Sequence, residues 1–284
     1  MTQADAYFRA RERVARLSAL PTFDTRLLQA VGDEDADQQF RLLTDLLHSD
    51  PALAARTMKV ANSAFYGGVR SIASIDRAMT VLGSMAVIGI AMAASLDGSI
   101  RGLGPEHAVL LAELRRHSLA TAVAARRLVQ RSGIELGGAE AAFVLGLMHD
   151  IGYLVELQLQ HDAQMPFARP APPAANGAGV VATAEPSHDL LGAALLEQWQ
   201  LPAGLAEAVR THHLPFDAAG QGPLARLLAL ANQCALADPL PFGGEAAVDV
   251  ATLPLADFGL DAGAWPEFAA QCLEEAAALG GLLQ

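Results

Sequence analysis

Phe143-Val144-Leu145-Gly146-Leu147-Met148-His149-Asp150-Ile151-Gly152-Tyr153-Leu154 is almost wholly apolar, interrupted by one adjacent histidine and carboxylate. A run this long, short of breakers and continuing through Val155 and Leu157, reads as a helix buried on most of its sides. Placing His149 and Asp150 there costs free energy unless they are paired with each other, with a hydrogen-bonding neighbour or with a metal ion. The stretch therefore predicts helix packed on helix and sends the search for polar partners to the rest of the chain.

Upstream, Tyr7, Phe8, Val14 and Leu17 recur among charges between Gln3 and Ser18, the pattern of an amphipathic helix that Leu20-Pro21 ends. A helix over Thr25 to Val31 leads into the acidic stretch Gly32 to Asp37, read as a solvated loop, and another helix runs from Phe40 to about His48. Asp50-Pro51 restarts the helix for a physical reason. The carboxylate accepts orphan backbone N–H groups at the N-cap, and proline at the first helical position gives up a donor that would be unpaired anyway. That helix closes near Phe65-Tyr66-Gly67-Gly68; Ser74 caps the next, which stops at Gly83 before Ser84 caps another. Gly102-Leu103-Gly104-Pro105 is the best boundary, followed by a long helix from Glu106 to Gln130.

Downstream of the opening stretch, residues near 165–186 are rich in proline and alanine and lack apolar periodicity, as expected of a flexible surface loop. Helical pattern resumes through Leu190 to Trp199, through Val209 to Thr211-His212-His213, and over Leu224 to Ala237. The remainder predicts one or two closing helices. No segment alternates convincingly with strand period, so the fold is expected to be all-α. Its parts are an N-terminal helix (1–19), a helical half (20–101) and a second helical half (102–284).

Composition narrows the partners. The net charge of −12, from 31 acidic against 19 basic residues, opposes a phosphate-tracking surface, so no nucleic acid partner is expected. Cys234 and Cys272 lie far apart in sequence and outside any metal or redox spacing, and read as buried small apolar residues of a reducing compartment. Val81 to Leu96 falls short of the roughly 20 residues of a membrane span and reads as a core helix. The arginine-rich N-terminus lacks the apolar block of a secretion signal, so the chain is expected to be cytoplasmic and to engage no membrane.

Polar residues at helix-compatible positions collect in the second half: His117, His149, Asp150, His188, His212 and His213, six candidate metal ligands. Imidazole with carboxylate suits iron, manganese or zinc better than calcium. His188 and Gly192 share a helix face, and a glycine there allows another backbone or a bound group to come close. Asn232 is placed to hydrogen-bond within such a site, as a poorer ligand than aspartate because it brings no charge. By spacing alone other readings stay open. His149-Asp150 is also compatible with a simple buried hydrogen-bonded pair, and His212-His213 with a favourable helix C-terminus. His48, His107 and His161 read as solvated or locally satisfied.

Gly146-Leu147-Met148-His149-Asp150-Ile151-Gly152 resembles the His-Asp signature of the HD superfamily of metal-dependent phosphohydrolases. The stretch from about Leu20 to Ala237 is similar to an HDOD domain, the HD-related output domain of bacterial signalling proteins. Leu47-His48-Ser49-Asp50-Pro51, Val60-Ala61-Asn62-Ser63-Ala64-Phe65-Tyr66-Gly67 and Ile75 to Gly83 carry the resemblance in the N-terminal half. In the related HD-GYP phosphodiesterases, which open cyclic di-GMP, metal is held by residues that match His117, His149, Asp150, His188 leading to Gly192, and His212-His213. The late aspartate of that pattern aligns with Asn232, and the Gly-Tyr-Pro signature is missing after His213.

The resemblance implies a bacterial regulatory protein acting through contacts with other signalling proteins, catalytically weak or inactive, with a divalent metal site retained. Its alternative is a phosphohydrolase, with His149 and Asp150 as catalytic candidates, acting on a nucleotide or cyclic dinucleotide. No receiver, kinase or membrane sensor is recognisable, so input is expected from another molecule.

Overall fold

The computed structural model describes residues 3–17, 24–32, 35–66, 72–98, 105–134, 136–169, 186–216, 221–238, 242 and 247–283. Among these it forms twelve α-helices, short 3-10 turns and no strand. In chain order the helices are α1 (Gln3–Ala15), α2 (Thr25–Gly32), α3 (Ala36–Ser49), α4 (Pro51–Ala61), α5 (Ile75–Gly98) and α6 (Pro105–Ser132). They continue with α7 (Ala139–Met148), α8 (Gly152–Asp162), α9 (His188–Gln198), α10 (Ala203–Thr211), α11 (Pro223–Ala235) and α12 (Trp265–Leu283). The all-α expectation holds. The proposed boundary at 102–104 and most of the Pro-rich loop, residues 170–185, lie outside the described residues.

Helix α6 is the axis, packed by α7, α11 and α12, while α8, α9 and α10 complete the second half. Helices α2 to α5 pack on one another and reach the second half through α5 against α7. One hydrophobic core runs through both halves. The first helix crosses over to lie on α9, with Arg11 3.6 Å from Glu197 and the Arg210 guanidinium 6.0 Å from the Tyr7 ring.

Local rules account for most boundaries. Asp50 accepts from the Ala52 and Leu53 N–H groups at 3.0 Å, with Pro51 following, as expected. Gly83 takes φ 75° and ψ 163°, a conformation that costs glycine little, and kinks α5 where the sequence predicts a stop. Asn62 bonds both ways with Ile72, donating to its carbonyl at 3.0 Å and accepting from its N–H at 2.8 Å, which closes the loop between them.

Four expectations need correction. The opening stretch is two helices, not one. Residues 149–151 form a turn whose bonds tighten to three-residue spacing, Ile151 N–H to Met148, Tyr153 to Asp150 and Leu154 to Ile151, so α7 ends and α8 begins around His149-Asp150. The acidic stretch at 32–37 is only partly a loop, because Asp35 caps α3 by accepting from the Asp37 and Gln38 N–H groups and Asp37 lies inside it. Length does not distinguish the apolar run of α5 from a membrane span, since Ile75–Ala94 covers 20 residues; the same is true of Ala139–Asp162. Both are largely buried against neighbouring helices. Finally, residues 165–169 make definite contacts. Phe167 packs on His107 with ring centroids 4.7 Å apart, Gln160 and Ala168 exchange two hydrogen bonds, and Arg169 pairs with Glu113.

Candidate metal centre

Two glycines explain why the signature residues meet their partners. A Cβ on Gly146 would lie 2.6 Å from Ala122 Cα, so its absence lets α7 press onto α6. A Cβ on Gly152 would lie 1.8 Å from the His188 carbonyl oxygen, so the start of α8 abuts the start of α9 backbone to backbone. Gly192 faces the same contact, its Cβ position 3.2 Å from Gly152 N. With the helices drawn together, His117 from α6, His149 and Asp150 from the turn, His188 from α9, and His212 and His213 beyond α10 converge.

Asp150 is the hub. Its Oδ2 lies 3.3 Å from His117 Nε2 and 3.2 Å from His149 Nε2; its Oδ1 lies 3.4 Å from His188 Nε2 and 3.6 Å from His212 Nε2. His213 joins through His188, their Nε2 atoms 2.9 Å apart. The donors form two groups with Asp150 in both: Asp150, His188, His212 and His213, and His117, His149 and Asp150. His117, His149, Asp150, His188 and His212 are each no more than 5% exposed, and His213 is partly buried. All six candidate ligands are thus brought together. His48 and His161 are exposed and His107 sits against Phe167, outside the cage.

The hydrogen bonds fix two rings. His149 Nδ1 is 2.7 Å from the Gly146 carbonyl and His212 Nδ1 is 2.6 Å from the Val209 carbonyl. A carbonyl only accepts, so each Nδ1 carries the proton and, in the neutral ring, each Nε2 presents a lone pair. Burial, against the pull of Asp150, lowers the His149 pKa to about 4, so this ring is neutral at pH 7. Burial opposes ionisation of Asp150, but the surrounding imidazoles hold its carboxyl well below the usual range. A bare nitrogen thus faces an ionised oxygen at 3.2 Å with no proton between them. Two acceptors at that distance repel, and a cation between them reverses the sign.

The unmet polar atoms point the same way. Asp150 Oδ1, His212 Nε2 and Asn232 Oδ1 are buried without a hydrogen-bond partner. For His188, burial pulls the pKa down but the Asp150 carboxylate, its Oδ1 3.4 Å away, outweighs it and raises the pKa to about 9. His213 is pushed well below its ordinary value by burial and by His212 and His188. The donor set fits a divalent ion of the iron, manganese or zinc type, held by imidazoles and one carboxylate, with the His188 proton released on binding. Bound there, such an ion supplies positive charge and Lewis acidity.

Two residues of this site were not foreseen. Tyr153 stacks on His188 at 4.1 Å with a 10° interplanar angle, and Phe242 lies 4.9 Å from Tyr153 and 5.7 Å from His117. Tyr153 was accessible to sequence reasoning, being three residues after Asp150 and so near its face of the helix. Phe242, in Pro239-Leu240-Pro241-Phe242-Gly243, carries no periodicity that could have placed it. The cysteines also meet. Both are buried, and Cys234, its pKa raised first by burial, shares a hydrogen bond with Cys272, so residues far apart in sequence join α11 to α12.

The family model for the HDOD domain matches residues 17–215. The fold is similar to that of an HDOD domain protein with unknown function from Geobacter sulfurreducens, at 24% identity, TM-score 0.74, and 99% coverage of both chains. It is similar also to a proposed signal transduction protein of Marinobacter aquaeolei VT8, at 19% identity and TM-score 0.64, covering 99% of this chain and 65% of that one. A proposed metal-dependent phosphohydrolase of Shewanella amazonensis SB2B aligns at 20% identity and TM-score 0.61, over 96% and 99% of the two chains. At these identities the likeness is one of fold. An uncharacterized protein of Treponema pallidum is 24% identical over 226 residues, 76% of this chain and 42% of that protein, so this chain spans less than half of that relative.

Proposed function

Because the chain belongs to the HDOD domain family, we propose that it is a regulatory protein of bacterial signal transduction. It acts in the cytoplasm through contacts with other signalling proteins, and its histidine cage holds a divalent ion that orders the scaffold rather than turning over substrate. The observation that carries this reading is the burial of the ligand atoms. The atoms that would face an ion, Asp150 Oδ1 and His212 Nε2, have essentially no accessible surface, and Tyr153 and Phe242 pack over the rings. Structural sites are closed, whereas catalytic ones keep a position open to water or substrate.

Charge supports the same reading. Asp150 is the one carboxylate of the cage, and Asn232 stands where the related phosphodiesterases have another. One divalent ion leaves the donor set at +1, two would leave it at +3, and buried net charge is costly. The group of four donors, Asp150, His188, His212 and His213, matches the four-coordinate preference of a structural ion. Asp150 and the imidazoles would hold it, His188 on release of its proton; the carbonyls of Gly146 and Val209 keep His149 and His212 in the tautomer that binding requires.

The second reading, a metal-dependent phosphohydrolase acting on a nucleotide or cyclic dinucleotide, is favoured by the sharing of Asp150 between two donor groups, the arrangement of a two-ion site. Incubating the purified chain with cyclic di-GMP and with nucleoside mono- and triphosphates, with added manganese or iron, separates the two. The regulatory reading expects no product. Hydrolysis abolished by Asp150→Ala would establish the second reading instead.

A further inference from the structure

Helix α1 lies outside the residues that the family model matches, which begin at 17, and α9 is the only helix among the described residues on which it packs extensively. The face it offers is narrow. Ala6, Ala10 and Val14 recur at four-residue spacing and are buried, while Phe8 on the far side is 63% exposed. At the edge of the contact, Arg11 lies 3.6 Å from Glu197 and the Arg210 guanidinium 6.0 Å from the Tyr7 ring. Burial and the Glu197 carboxylate raise the Tyr7 pKa, so the hydroxyl keeps its proton beside that carboxylate.

The helix underneath works on two faces. His188 and Gly192, about 40° apart around α9 by helical geometry, turn towards the cage and Gly152. Leu190, Ala193, Ala194 and Glu197 form a stripe on the opposite side, centred about 180° from His188. The Arg11–Glu197 contact marks that stripe as the one α1 covers. Leu190, Ala193 and Ala194 are no more than 3% exposed. Helix α9 is thus held between the cage in front and α1 behind. The backbone contact of Gly152 with the His188 carbonyl leaves no slack at the start of α9, so a shift of this helix moves His188 against Asp150, 3.4 Å away. Two alanines and a valine bury little apolar area, so α1 opens at less cost than the core helices.

We infer that α1 is a releasable strap that sets the affinity of the cage for its ion: docked, it holds α9 and His188 in place, and released, it lets His188 withdraw from Asp150. The inference rests on the reading of the cage as a metal centre. By linkage the effect is reciprocal, so occupancy of the cage slows release of the strap. A partner that takes hold of α1 thereby acts on the cage from the far side of α9.

Hydrogen exchange of the full chain followed by mass spectrometry, in chelator and in saturating zinc, reads the strap; competition with a chromophoric chelator reads the ion. In chelator α1 is expected to exchange faster than α6, and zinc to slow α1 about tenfold. Ala10→Glu puts a carboxylate at a position with 0% exposure. It is expected to free α1, to leave α6 protected, and to weaken zinc binding about tenfold. Should Ala10→Glu expose α6 as well, exchange in the wild-type chain decides. Zinc bound by the wild type without slowing α1, zinc bound as tightly by Ala10→Glu with α1 released, or an Ala10→Glu chain whose α1 stays protected overturns the strap and leaves the metal centre standing. A wild-type chain that takes up no zinc overturns the metal centre, and the strap with it.

Discussion

Two polar constellations lie on the same pair of helices, α6 and α7, and they solve burial differently. At one end, Arg126 of α6 donates to Glu140 of α7 at 2.8 Å, Tyr66 donates to the other Glu140 oxygen at 3.0 Å, and the guanidinium lies 4.2 and 4.8 Å from the Phe65 and Tyr66 rings. Each oxygen of the Glu140 carboxylate there meets a donor. At the other end, the turn after α7 places the bare Nε2 of His149 against the Asp150 carboxylate at 3.2 Å. The clamp at Glu140 is complete from the protein alone; the cage at Asp150 is the one that an ion would complete. A buried polar cluster is thus read by its sign balance rather than by its polarity.

The largest effect is expected from the packing that makes the cage. Gly152→Ala puts a Cβ 1.8 Å from a carbonyl oxygen with backbone on both sides, so urea denaturation should show a loss of about 4 kcal/mol or no cooperative transition. Next comes the ion. Manganese or zinc at a hundredfold excess over its dissociation constant should stabilise the wild-type chain by about 2.7 kcal/mol, a rise of about 5 °C in Tm by scanning calorimetry. Asp150→Asn should erase that increment.

The clamp should behave oppositely. Glu140→Gln leaves Arg126, 12% exposed, without its counter-charge and should cost about 2 kcal/mol, the same in chelator as in metal. A dependence on metal there would mean that the two ends are not independent. The smallest effect is expected at the roof, where Tyr153→Leu removes the ring stacked on His188 and should cost about 1 kcal/mol of metal binding, measured by competition with a chromophoric chelator.

The fold was legible where local chemistry decides it. Asp50-Pro51, Gly83 and the helical period of α6 each state their own structure, and the six ligands could be named because a histidine or carboxylate in an apolar run is conspicuous. What escaped depends on tertiary contact. The break at 149–151 is invisible to periodicity because its residues stay close to helical angles, His149 at φ −59° and Ile151 at φ −59°. Gly146 and Gly152 could be noticed as glycines, but only the backbones of Ala122 and His188 explain them. Phe242 reaches the cage from a segment with no pattern of its own, and the meeting of Cys234 with Cys272 needs the packing of α11 on α12.

The most direct measurement is the metal content of the purified chain, by elemental analysis after dialysis, for wild type, Asp150→Asn and Glu140→Gln side by side. One equivalent of iron, manganese or zinc is expected in the wild type and in Glu140→Gln, and close to none in Asp150→Asn. A wild-type chain that holds no metal even after reconstitution, or an Asp150→Asn chain that holds as much as the wild type, would contradict the assignment of the cage as a metal centre.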